Sequence, residues 1–160
     1  MFKKNNNILL ILIFFAISLA LILAFIIEYS FGHQPCKLCI YERIPYVVSI
    51  LLIPIIIFYK KYKKIILLIL ALVFIASTIL SFYHFGIEQG FFNELNICKS
   101  KDISETLTKE QLLNELEKTN ISCKDVTYRI MGLSLAAINS IFSLVLSVIF
   151  IKLFVKNGKN

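Results

Sequence analysis

ILLILIFFAISLALILAFII, residues 8–27, decides which solvent this chain is built for. Its one hydroxyl is Ser18 and it carries no charge, so a helix made from it has no polar face to turn toward water. Twenty residues rising ~1.5 Å each cover the roughly 30 Å of a bilayer's hydrocarbon layer. Lys3 and Lys4 ahead of an apolar run also fit a signal peptide. The run is long and no small-x-small cleavage pattern follows it, so a retained first span is expected.

Three further runs follow. Ile44 to Tyr59 is short for a crossing and contains Pro45 and Pro54. It spans if its helix begins earlier, in the Cys36 to Glu42 segment, with Pro45 tolerated in a first turn and Pro54 kinking the middle. Ile65 to Tyr83 and Ile130 to Ile151 complete the set, each with a few Ser, Thr or Asn able to bond neighbouring helices. The expected fold is an all-α membrane protein, a four-transmembrane-helix bundle forming one domain over 1–160. Its spans are expected at about 8–27, 41–59, 65–83 and 130–151, with outer loops at about 28–40 and 84–129 and a cytoplasmic turn at 60–64.

Bulk composition agrees. The chain is 58% hydrophobic and 17% charged, with no Trp and five Gly, which is richer in apolar residues than soluble domains. A net charge of +7 could suggest nucleic acid, but Lys3, Lys4, Lys60, Lys61, Lys63, Lys64, Lys152, Lys156 and Lys159 all flank apolar runs with no acid among them. Such placement is that of a membrane flank, so no nucleic-acid partner is expected. The positive-inside rule then assigns both termini and the Lys60 to Lys64 turn to the cytoplasm.

The second outer segment has structure of its own. Thr108 and Gln111 form a capping box, Leu107 and Leu112 take the staple positions, and Leu112, Leu113 and Leu116 share a face of a helix ending near Lys118. It is too short to span. A short interfacial helix lying flat on the membrane is expected, an ordinary loop helix packed on the bundle being the alternative.

All four cysteines, Cys36, Cys39, Cys98 and Cys123, fall in the two outer segments, where an oxidising compartment permits disulfides. Cys36-Lys37-Leu38-Cys39 is a C-x-x-C, the spacing that closes a small, reducible ring. A helix starting nearby, with Lys37 and Arg43, favours the reactive thiolate. Cys98 and Cys123 are too far apart in sequence for one turn but are readily joined by a disulfide, either a second redox pair or a plain loop staple. A four-cysteine zinc site is a further alternative, disfavoured because the second pair is scattered; no metal is expected.

Gln34-Pro35-Cys36-Lys37-Leu38-Cys39-Ile40-Tyr41-Glu42-Arg43 resembles the hallmark Pro-Cys-x-Leu-Cys-x-x-x-Arg of the bacterial disulfide bond formation protein B family, DsbB, at the entry to its second span. The likeness in plan covers the whole chain, down to a Gly-Leu near the fourth span, here Gly132-Leu133. The DsbA–DsbB–quinone route is already known to keep the bacterial periplasm oxidising. The resemblance therefore implies a thiol:quinone oxidoreductase in the bacterial inner membrane. Its partner would be a periplasmic DsbA-like thioredoxin-fold oxidase, and its exchangeable acceptor ubiquinone or menaquinone, drawn with lipid from the bilayer. By position, Cys98 is attacked by the partner, Cys123 relays to Cys36, and Cys39 faces the quinone.

Arg43, one helical turn beyond Cys39, is expected to reach the volume beside that sulfur and to stabilise negative charge on thiolate and quinone. His84 and Glu88, at the outer end of the third span, are candidates for quinone contact, with interfacial anchoring as the alternative. Glu42 reads as a polar helix-start residue. This reading has two rivals, the second of them still within redox chemistry. One is a non-enzymatic membrane scaffold with structural disulfides or a Cys metal site. The other, a vitamin K epoxide reductase-like protein, is disfavoured because the C-x-x-C lies at the second span.

Overall fold

A computed structural model of the chain describes residues 2–32, 35–93, 98, 122–124, 129–130 and 132–158. Among the described residues four helices carry it: α1, Phe2–Tyr29; α2, Lys37–Phe58; α3, Lys63–Glu88; and α4, Leu135–Gly158. Each is long and apolar enough to cross a membrane. A single 3-10 turn, Lys60–Tyr62, joins α2 to α3, and so short a link makes antiparallel neighbours of the two. The interfacial helix expected over Thr108 to Lys118 lies outside the described residues.

Local chemistry sets the helix ends, and at three places it differs from the sequence expectation. The third span, expected to stop at Tyr83, runs on to Glu88 because its stop signal is Gly90. Gly90, at φ 78°, takes the left-handed conformation that follows a helix C-cap. Its N–H donates to the Ile87 carbonyl at 3.0 Å and the Phe91 N–H to the Gly86 carbonyl at 2.8 Å, the paired bonds of a Schellman motif. Phe92 folds back so that its ring stacks on Tyr83 and lies against Gly86, where any Cβ would collide with it.

The fourth span begins later than expected. Residues 129–130 and 133–134 pair as a small antiparallel hairpin, Arg129 opposite Ser134 and Ile130 opposite Leu133, with Gly132 at φ 83° in its loop. A hairpin and a helix cannot share those residues, so α4 starts at Leu135. Ser134 caps it, its hydroxyl accepting the Ala137 N–H at 3.2 Å. In α2, Pro45 is not in the first turn: the helix starts at Lys37, so both prolines lie inside it. The carbonyls of Tyr41 and Ile50 thereby lose their usual donors.

In lipid the helices gain little from hiding apolar surface from one another, so shape and hydrogen bonds must hold them. Phe74 of α3 stacks on Phe150 of α4 with ring centroids 5.5 Å apart, and Tyr46 of α2 meets Phe74 edge-on at 5.9 Å and Phe142 face-on at 6.1 Å. Leu10, Ile13 and Ile17 bring α1 into the same core. Phe15, Leu51, Ile79 and Phe82 point outward, as lipid contacts do. Buried serines thread through the packing: Ser77 and Ser143 bond across α3 and α4 at 3.0 Å.

Candidate active site

Where α1 and α3 end and α2 and α4 begin, the polar residues converge. Cys36 is the N-cap of α2, with extended backbone, and its sulfur accepts the Cys39 N–H at 3.2 Å. The two sulfurs lie 2.7 Å apart. The Cys39 thiol, bonding to the Cys36 sulfur, is the largest of the causes that hold the Cys36 pKa below that of an ordinary thiol, with the backbone N–H of Cys39 acting in the same direction against the cost of burial. A thiol at a helix N-terminus is primed for exchange by the same logic.

Cys98 and Cys123 form a disulfide with Cα atoms 5.3 Å apart. It packs in one buried cluster with Cys36, Leu38 and Ile87, so the pairs from the two outer segments meet. The environments within the first pair differ. Cys36 is buried, whereas Cys39 is half-buried at the edge of the cluster, next in sequence to the outward-facing Ile40 and Tyr41.

His84, which the sequence offers for quinone contact, lies between Cys36 and Glu42. It is 2% exposed, with Nε2 3.5 Å from the Cys36 sulfur and Nδ1 2.7 Å from Glu42 Oε1. Glu42 is not the polar helix-start residue the sequence suggests. It is buried because α2 begins five residues before it, which turns its side chain into the bundle. Its second oxygen, Oε2, accepts from Asn139 Nδ2 at 2.7 Å. The same amide nitrogen donates to Ser81 at 2.7 Å, and Asn139 Oδ1 accepts from the Tyr46 hydroxyl. Glu88 is also drawn in, Oε1 standing 3.9 Å from His84 Nε2 with its side chain 7% exposed. Among the described residues, Glu88 Oε2 is a buried side-chain oxygen without a hydrogen-bond partner.

Arg43 is engaged elsewhere. Its guanidinium pairs with Glu28 at the end of α1 and lies 5.2 Å from the centroid of the Phe25 ring, tying α1 to α2 beside the cluster. Of the residues singled out in the sequence, the structure thus gathers Cys36, Cys39, Cys98, Cys123, His84 and Glu88, and sets Arg43 against α1. It adds Glu42, Asn139, Ser81 and Tyr46. Of these, only the acid inside an otherwise apolar span carries a sequence signal, since an intramembrane carboxylate calls for a partner.

Cys36, Cys39 and His84 together offer a thiolate–imidazole donor set within 4.8 Å. Two thiolates on one tetrahedral zinc, each ~2.3 Å from it, stand roughly 3.8 Å apart. The observed sulfur separation of 2.7 Å suits a pair poised to join rather than a pair held by a metal.

Fold and site together define a class: four-helix membrane proteins in which a C-x-x-C at the second helix meets a loop disulfide. The family described as "Disulfide bond formation protein DsbB" matches residues 6–153. The chain belongs to the DsbB family, and so to the machinery of disulfide-bond formation. It is 31% identical over 147 residues to the uncharacterized protein RP370 of Rickettsia prowazekii (strain Madrid E), covering 90% of this chain and 86% of that one. No solved structure matches it.

Proposed function

We propose that the protein is a membrane thiol:quinone oxidoreductase that reoxidises a periplasmic DsbA-like oxidase and passes two electrons to ubiquinone or menaquinone. The observation that carries this reading is the single buried cluster holding the Cys98–Cys123 disulfide and Cys36, with Cys39 at its edge. With Cys36 and Cys39 first joined as a disulfide at the expense of the acceptor, the partner's thiolate attacks Cys98 and releases Cys123, whose thiolate attacks Cys36 and expels Cys39 as the thiolate left facing the acceptor. Each exchange breaks one S–S bond and forms one. Lysine placement supports both termini in the cytoplasm and the cysteines on the outer side of the bacterial inner membrane.

The residues around Cys39 suit a quinone. Outward-facing Ile40 and Tyr41 leave apolar access from the lipid side, and Glu88 in its protonated form and His84 once Nε2 carries a proton are donors able to meet ring oxygens. When bound, the quinone accepts the two electrons and two protons that closing a disulfide releases. For a two-electron couple ~30 mV corresponds to about 1.4 kcal/mol, so a high-potential quinone draws electrons even from a strongly oxidising partner. Arg43, tied to Glu28, adds a cation one turn from Cys39.

Purified protein in lipid, mixed with reduced DsbA-like partner and ubiquinone, is expected to form quinol, followed by absorbance, and Cys36→Ser is expected to stop it. Quinol formation that continues unchanged in Cys36→Ser overturns the proposal.

A further inference from the structure

The hydrogen bonds leading away from Cys36 run in one direction. The Cys36 sulfur accepts the Cys39 N–H, and with the Cys39 thiol 2.7 Å away as a second donor to it, the Cys36 proton is left to His84 Nε2 at 3.5 Å. For Nε2 to accept, the ring must carry its hydrogen on Nδ1, and that N–H donates to Glu42 Oε1 at 2.7 Å. Glu42 Oε2 is held in turn by Asn139. The Asn139 amide has one orientation available: Nδ2 donates to both Glu42 and Ser81, and Oδ1 accepts from Tyr46. Flipping it would set a carbonyl oxygen against the carboxylate and a second donor against the tyrosine.

We propose that Asn139 is a positioning residue for a proton relay in which His84, oriented by Glu42, takes the proton of Cys36. A nucleophile, a base and an acid that orients the base is the arrangement by which thiols are activated elsewhere. Here α4 supplies a fourth member from the far side of the bundle. The step is a transfer within the site. The Cys36 S–H bond breaks and an Nε2–H bond forms, leaving thiolate beside imidazolium with no net change in charge or electrons. Charged and titratable groups facing His84 are Cys36, Cys39 and Glu42 from α2 and Glu88 from its own helix; Arg129 lies near Glu88. This inference rests on the proposed function only in taking Cys36 to be a working thiol.

The test isolates that thiol. In full-length protein in lipid carrying Cys39→Ser, Cys98→Ser and Cys123→Ser, the rate of Cys36 alkylation is measured against pH, with neither quinone nor partner present. Adding Asn139→Leu is expected to move the midpoint up by about half a unit or more, roughly threefold slower alkylation at neutral pH, because each unit is tenfold in thiolate. Glu42→Gln is expected to move it at least as far, and Asn139→Leu to add nothing once Glu42→Gln is present. Ser147→Ala, a buried change two turns further along the same helix, is expected to leave the profile in place. Asn139→Ala serves if the leucine variant fails to accumulate.

An unmoved midpoint in both Asn139 variants overturns the relay, as does an equal shift in Ser147→Ala. Because alkylation needs no acceptor, the relay fails without touching the proposed function if quinol still forms. Equally, a shifted midpoint in a protein that makes no quinol upholds the relay and overturns the other reading.

Discussion

Cys36 and Cys39 have the same side chain, and their surroundings separate them. Cys36 has its pKa lowered, first by the Cys39 thiol. In reduced, quinone-free protein its alkylation is therefore expected to reach half its maximum below the ~8.5 of a free cysteine, and Cys39→Ala to move that midpoint upward. The sign for stability follows. A thiolate favoured by the fold adds stability above the ordinary thiol pKa, and that increment fades as pH falls through the lowered one. An unshifted alkylation midpoint in Cys39→Ala would show that the neighbouring thiol does not set it. Arg43 gives a second comparison. Were it only a tether to α1, Arg43→Met and Glu28→Gln would slow quinol formation alike. If it also serves the acceptor as a cation, its removal should cost about tenfold more than its partner's does, read as kcat/KM for quinone. The cysteines were legible in sequence because spacing and flanking residues carry their chemistry. Asn139 was not, for an asparagine in an apolar run declares its partner only once three helices have packed around it.

At the scale of elements, punctuation mattered more than hydropathy. Counting apolar residues ends the third span at Tyr83, yet Gly90 with its Schellman bonds carries the helix to Glu88 and puts His84 and Glu88 on a rigid element. Likewise the hairpin around Gly132 and the Ser134 cap, not the first apolar residue, start α4. Both signals lie in the sequence but are read by backbone geometry, which an apolar count ignores. Gly90→Ala, forcing a Cβ into the left-handed region, is expected to cost about 1 kcal/mol and to loosen the last turn of α3. Hydrogen exchange at residues 84–88 should rise in that variant, and unchanged protection there would contradict this account of the helix end.

The bundle as a whole was legible from four apolar runs and the lysines between them, since membrane thickness leaves little freedom in how such runs are used. What the runs could not disclose was the meeting of two loops over one helix end. If electrons leave through a quinone, depriving cells of it should leave thiols on the protein. Trapping with a large alkylating reagent during quinone depletion is expected to show more free thiol than in respiring cells. An identical cysteine state in both conditions would favour a purely structural disulfide.

The position of Cys39 at the edge of the cluster, next to two side chains turned outward from the second helix, has a bearing on what can oxidise it. A molecule approaching from that side must first dissolve among acyl chains. Selection of the terminal oxidant would then rest on its oil–water partition coefficient before any fit to the protein, and hydrophilic oxidants of the surrounding fluid would be turned away at the lipid itself.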